Sequence, residues 1–144
     1  MNKTISLLNL IIIILCLSFT GCKKDKSIQE LLVGKWDITY EKYTDYQNNV
    51  VVQNDIINNS PGDFVLEIFA DGTGTFYERT VVASTITWEL ATGNKFMVKF
   101  DPLYPAQEVI YTVNEKSLTW NLTVIFNINN IEYKSVNYME GTRK

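Results

Sequence analysis

Phe64-Val65-Leu66-Glu67-Ile68-Phe69-Ala70-Asp71-Gly72-Thr73-Gly74-Thr75-Phe76-Tyr77-Glu78, followed by Arg79-Thr80-Val81, is the stretch that decides the fold. Two runs rich in β-branched and aromatic residues flank Asp71-Gly72, and that dipeptide supplies the positive φ that a tight type I′ turn needs. The stretch predicts a hairpin of strands 64–69 and 73–81. Outward from it the same period of two recurs. Residues 85–90 and 95–100 make the next pair across Ala91-Thr92-Gly93-Asn94, with Ile86, Trp88 and Leu90 answering Phe96, Val98 and Phe100. The prolines of Asp101-Pro102-Leu103-Tyr104-Pro105 exclude a central strand there. Strand 108–113 then turns at Asn114-Glu115-Lys116 into strand 117–126, and a last strand runs from near Ile131 towards Arg143.

On the N-terminal side, residues 35–44 read as the first strand, with Trp36, Ile38 and Tyr40 on one face and Asp37 and Glu41 interrupting the other. Residues 46–63 are polar and read as a long loop, with room for an edge strand at Val50-Val51-Val52. Before the first strand, Ile28, Leu31 and Leu32 fit one or two helical turns, with Ser27 as N-cap, Glu30 completing a capping box, and Gly34 as the stop. The expected fold is all-β: about eight sequential antiparallel strands in an up-and-down barrel after a short helical turn, spanning residues 28–144. Closure removes exposed edges, and a barrel of this size is either filled by side chains or hollow enough for one small ligand.

Composition narrows the function. The chain has 144 residues, 46% hydrophobic and 20% charged, which suits one globular domain. It contains no histidine and two cysteines, Cys16 and Cys22. Histidine-dependent nucleophile arrangements are therefore excluded, and the commonest zinc ligand is absent. No catalytic or metal site and no cofactor is read, and the chain is not expected to be an enzyme. The net charge is −3, and removal of residues 1–21, whose one charged side chain is Lys3, makes it −4. Nucleic acid is not an expected partner, since phosphate binding needs a basic face.

Residues 1–21 have the pattern of a secretory leader: Lys3, then an apolar run containing Ile11-Ile12-Ile13-Ile14-Leu15 that is shorter than the roughly 20 residues of a membrane span. The run ends in Leu17-Ser18-Phe19-Thr20-Gly21-Cys22, which resembles the lipobox of bacterial lipoproteins, with Phe19 at a place the family usually fills with an aliphatic residue. That resemblance implies cleavage before Cys22, lipid on its sulfur, and attachment to a membrane. Residues 22–27 then form a lipidated polar tether. Because Asp does not follow Cys22, the resemblance favours the outer membrane of the cell envelope.

Leu31-Leu32-Val33-Gly34-Lys35-Trp36 resembles the start of a lipocalin-like domain, as do the Phe69-to-Gly74 hairpin and the strand order. The resemblance implies that Trp36 plugs one end of the barrel and that Arg143 lies across it, a cation–π contact worth about 0.5–2 kcal/mol. Read without the resemblance, Trp36 is a core residue and Arg143 a solvated terminal one. Trp88, Phe96, Phe100, Tyr111 and Trp120 are the candidate pocket for a small hydrophobic ligand, or else core packing. Asp55, Asp63, Asp71 and Glu78 fit no EF-hand spacing and read as turn or surface residues, and Asn121-Leu122-Thr123 matches a glycosylation sequon without expected consequence in a bacterial lipoprotein. Two functions follow as expectations: a barrel holding a small hydrophobic ligand, or a module or inhibitor that binds an envelope protein through the 46–63 segment.

Overall fold

The computed structural model describes residues 26–100 and 105–144. The leader, Cys22, most of the tether, and the 101–104 link with Pro102 lie outside the described residues. One short helix, α1 (Ile28–Leu32), precedes nine strands: β1 (Gly34–Gln47), β2 (Val50–Asn58), β3 (Phe64–Ile68), β4 (Thr73–Glu78), β5 (Val81–Leu90), β6 (Lys95–Lys99), β7 (Gln107–Val113), β8 (Ser117–Ile128) and β9 (Ile131–Arg143). All pair antiparallel with their neighbours, and β1 also pairs with β9, from Trp36↔Arg143 to Gln47↔Tyr133. Eight strands thereby close into a barrel, and β2 is left over.

The length of β1 explains the extra strand. Over Gly34 to Asp37 the edge of β1 away from β9 pairs with β3, completing the barrel; over Tyr40 to Gln47 the same edge pairs with β2. The segment expected to be a long loop is instead a tight hairpin. Asn48 and Asn49 take φ of 48° and 63°, the left-handed pair that a two-residue type I′ turn requires and that asparagine tolerates. Only residues 59–63 remain as a link, pinned where the Asp37 carboxylate accepts from Gly62 N at 2.8 Å.

A bulge at Thr39 corrects the expected facing of β1. The ladder to β9 pairs Ile38 with Gly141 and Tyr40 with Glu140, so Thr39 is an extra residue. One inserted residue inverts every later side chain. Trp36 and Ile38 point inward as expected, but beyond the bulge Glu41 and Tyr43 do so, and Tyr40 turns outward to meet Tyr138 edge-on at 6.2 Å.

The expected 64–81 hairpin forms, with Leu66 opposite Phe76, but its details differ. Only Gly72 of the turn is left-handed, at φ 85°, while the Asp71 carboxylate accepts from the Thr73 amide at 2.9 Å and its hydroxyl at 2.7 Å. The second strand stops at Glu78 and β5 starts at Val81, because Arg79 and Thr80 make another left-handed two-residue turn, with φ of 46° and 75°. A β-branched residue is strained there. Thr80→Gly is accordingly expected to stabilise the fold by about 1 kcal/mol, read as a raised urea midpoint with an unchanged slope.

The helical turn carries the expected capping box. Ser27 Oγ accepts from Glu30 N at 3.2 Å and Ser27 N donates to Glu30 Oε2 at 2.7 Å. The core is one cluster of inward residues from both halves of the barrel, centred on Trp36, Phe96, Val98, Val109, Leu118 and Trp120, all nearly inaccessible. Leu90 and Phe100, expected on wholly apolar inner faces, lie at strand ends and remain 44% and 40% exposed.

Candidate functional site

The two ends of the barrel are built differently. At one end Trp36, fully buried, donates its indole N–H to Leu32 O at 2.8 Å, fixing α1 over the opening. The Arg143 guanidinium lies over the Trp36 ring, 4.3 Å from its centre. It donates to the carbonyl oxygens of Val33, at 2.9 Å, and Leu31. These are the carbonyls that a short helix leaves without intrahelical partners, and a cation suits the negative end of its dipole. Gly34 takes φ +140°, a backbone conformation that strains any residue with a Cβ, and a Cβ there would also displace the guanidinium. This end is plugged.

The opposite end is open. A cavity of about 130 Å³ lies there between Tyr43, Phe64, Phe76, Ser84, Phe100, Trp120, Leu122, Asn137 and Met139. Of the five candidate pocket residues, only Phe100 and Trp120 line it. Trp88, Phe96 and Tyr111 pack beneath: Phe96 meets Trp120 at 5.0 Å, Tyr111 at 5.4 Å and Trp88 at 6.5 Å between ring centres. Trp88 ties its N–H to the carbonyls of Thr73, at 3.0 Å, and Phe69, at 3.2 Å. The five rings form a filled column with a shallow cavity at the open end. A larger concavity, about 470 Å³, lies by the outward threonines Thr73, Thr75, Thr85 and Thr87.

Period-two reading missed the polar side of the cavity because the Thr39 bulge creates it. Tyr43 donates to Glu41 Oε2 at 2.5 Å, and Asn59 Nδ2 donates to Glu41 Oε1 at 2.7 Å, so both oxygens of a buried carboxylate are used. Asn137 hydrogen-bonds the phenol of Tyr43 from the facing strand. Two residues that line the cavity, Trp120 and Asn137, each carry a polar atom sealed from it, Nε1 and Oδ1, that finds no partner among the described residues.

Burial, and then the hydrogen bond to and negative charge of Glu41, push the Tyr43 phenol far above its ordinary value of 10.0, while the bond from Asn137 works the other way. The folded state therefore favours the neutral phenol over the unfolded state. Its contribution to stability is complete below about pH 10 and is lost as pH rises from there towards the folded-state value. The denaturant midpoint is expected to fall between about pH 9 and pH 11, and to fall less in Tyr43→Phe. Equal losses in the two proteins would show that Tyr43 is not the responsible group.

Beyond the open end, β1, β2, β8 and β9 continue as a four-stranded flap. Val50, Gln47, Tyr133 and Phe126 form one row across it, on the face that Tyr43 and Asn137 share farther in. Phe126 and Tyr133 stack at 5.3 Å, and on the other face Lys134 lies over Tyr46 at 5.1 Å. All nine residues of β2 are exposed. Eight of the fourteen exposed large apolar side chains among the described residues are here: Val50, Val51, Val52, Ile56, Ile57, Ile125, Phe126 and Ile128. The acids considered as ligands lie apart from the cavity. Asp55 accepts from Gln53 at 2.5 Å, Asp63 pairs with Arg79 at 3.6 Å, Asp71 holds its turn, and Glu78 ends β4.

The chain matches no family model, no curated protein and no solved structure.

Proposed function

We propose that this chain is a lipid-anchored lipoprotein of the bacterial outer membrane, whose lipocalin-like barrel is a rigid stand for a protein-docking surface. The observation that carries the reading is where apolar surface goes. The interior is packed with aromatic rings down to a cavity of about 130 Å³, well short of the roughly 300 Å³ of a usual small-molecule site. Apolar side chains gather instead on the flap, around an edge strand with an unpaired backbone edge. Val50, Phe126 and Ile128 lie on one face of the flap and Val51, Ile56 and Ile125 on the other, and exposed apolar side chains beside a free strand edge favour association.

The anchor fits this arrangement. Lys26 bonds to Glu115 at 3.0 Å in the β7–β8 turn, and Gln29 bonds to Ala70 O at 3.4 Å, both at the plugged end. Four residues from Cys22 to Lys26 reach at most about 14 Å, so lipid on Cys22 would keep the plugged end near the bilayer and turn the flap away. A small hydrophobic ligand in the barrel is the second reading, favoured by the aromatic walls of the cavity. At this volume it would be a single ring, not a lipid.

Crosslinking in intact envelopes is the test. A specific partner is expected for the wild-type chain. Val50→Lys with Phe126→Lys should abolish it, with changes in stability near 0.5 kcal/mol or less for each exposed site. Cys22→Ser should release the protein from the membrane fraction. Crosslinking that survives both lysines would place recognition elsewhere, whereas a co-purifying mass in native spectrometry with no crosslinks would favour the ligand reading.

A further inference from the structure

β2 is an open sheet edge. Asn59 N donates to Thr39 O at 3.0 Å, so by the alternation of an antiparallel ladder Ile57, Asp55 and Gln53 turn their backbone groups to β1, while Asn58, Ile56 and Asn54 turn theirs outward. All nine residues of the strand are exposed, and its sequence, Val50-Val51-Val52-Gln53-Asn54-Asp55-Ile56-Ile57-Asn58, has no lysine, arginine or proline. Lysine and proline are the residues by which sheet edges discourage pairing; the one irregularity here is the extra residue Val52. The apolar side chains near this edge are divided between the two faces of the flap, Val50 with Phe126 on one and Ile56 with Ile125 on the other. A partner lying on either face leaves the other set in water, whereas a strand added at the edge runs alongside both.

The strand's single charge selects the added strand and its register. Antiparallel pairing of two β2 strands about Asp55 opposes two carboxylates, and pairing about Ile56 sets each carboxylate against Ile57 of the other copy. Pairing about Asn54 sets each Asp55 against Gln53, whose amide already donates to Asp55 of its own strand at 2.5 Å, and sets Val52 against Ile56. It also brings the outward backbone groups of Asn54 together, as a hydrogen-bonded antiparallel pair requires. We propose that β2 pairs with β2 of a second copy, Asn54 on Asn54, joining two four-stranded flaps into one sheet. The two-fold axis of such a pair reverses one barrel against the other. Thr44, opposite Asn54, lies nine residues from Lys35, about 30 Å of strand, so the plugged ends stand on opposite sides of the join, beyond the roughly 14 Å reach of a tether. Lipid-anchored copies therefore pair from facing membranes. This rests on the docking reading above and names its partner.

The test uses the full lipidated chain in lipid nanodiscs, with empty nanodiscs as the blank. Electron microscopy is expected to show pairs of discs joined through protein, and light scattering the mass of two loaded discs. Gln53→Asp opposes each Asp55 with a second carboxylate and is expected to weaken the pair by at least about fivefold, whereas Gln53→Lys should tighten it by at least about threefold. Asn54→Pro removes an outward N–H and the side-chain bond from Thr44 but no bond of the β1–β2 ladder, and should leave single discs. If that variant does not fold, the two substitutions at Gln53 still decide. Single discs for the wild type, equal effects of Asp and Lys at Gln53, or strings of more than two discs overturn the pairing of β2 with β2. Pairs that form within doubly loaded discs and not between discs overturn the antiparallel arrangement. Single discs together with crosslinks of the wild-type chain to a different envelope protein overturn the second copy as the partner and leave the docking reading standing.

Discussion

Trp36→Ala is expected to cost about 4 kcal/mol, within the 3–5 kcal/mol typical of removing a buried tryptophan, and so to consume a large part of a stability of about 5–15 kcal/mol. Three losses coincide. The largest fully buried side chain leaves a void at the plugged end, Leu32 O loses its donor, and Arg143 loses the ring beneath it. The last loss separates from the others in a double-mutant cycle. Arg143→Ala also removes the donors to Leu31 and Val33, so that part persists with or without Trp36, and the coupling should be about 0.5–2 kcal/mol. Denaturant unfolding of the four proteins measures it. If the double variant loses as much as the sum of the single ones, the ring and the guanidinium are not coupled, whatever their proximity.

Phe96→Ala is expected to cost about 3–5 kcal/mol, whereas Phe100→Ala should cost under about 1.5 kcal/mol. Phe96 is 1% exposed and touches Trp88, Tyr111 and Trp120, so truncation removes the ring that joins the column. Phe100 is 40% exposed and lies on the rim. The contrast tests whether the barrel is solid. Similar small costs at both positions would mean an interior loose enough to receive a ligand, and would remove the main support for docking through the flap. A large cost at Phe96 alone fits a stand whose interior is structural.

How much of this was legible in the chain varies by element for physical reasons. The hairpin around Asp71-Gly72 and the β5–β6 pair were readable because alternation and turn residues are local. The Arg79-Thr80 turn was not, because neither residue advertises a left-handed backbone and the surrounding strands impose it. The 46–63 segment read as a loop because Asn-rich polar sequence is ambiguous between loop and edge strand, and only pairing along the far half of β1 decides it. The polar half of the cavity was invisible for a related reason. Tyr43, which lines the cavity, and Glu41, which accepts its hydrogen bond, lie inward through one extra residue at Thr39, and a bulge is set by the ladder, not by the residue itself.

The amino-acid sequence by itself determined that the chain is all-β, that its strands follow one another antiparallel, that a capped helical turn precedes them, and which residues form most of the core. Those properties arise from backbone preferences and side-chain period, which act over a few residues. Tertiary structure alone decided that the long β1 pairs with both β3 and β2, which leaves β2 at the edge, that a bulge at Thr39 turns Glu41 and Tyr43 inward, and that Trp88, Phe96, Tyr111 and Trp120 pack against one another inside the barrel. Each of these depends on how strands pair and side chains meet across the whole barrel, a constraint no local stretch carries.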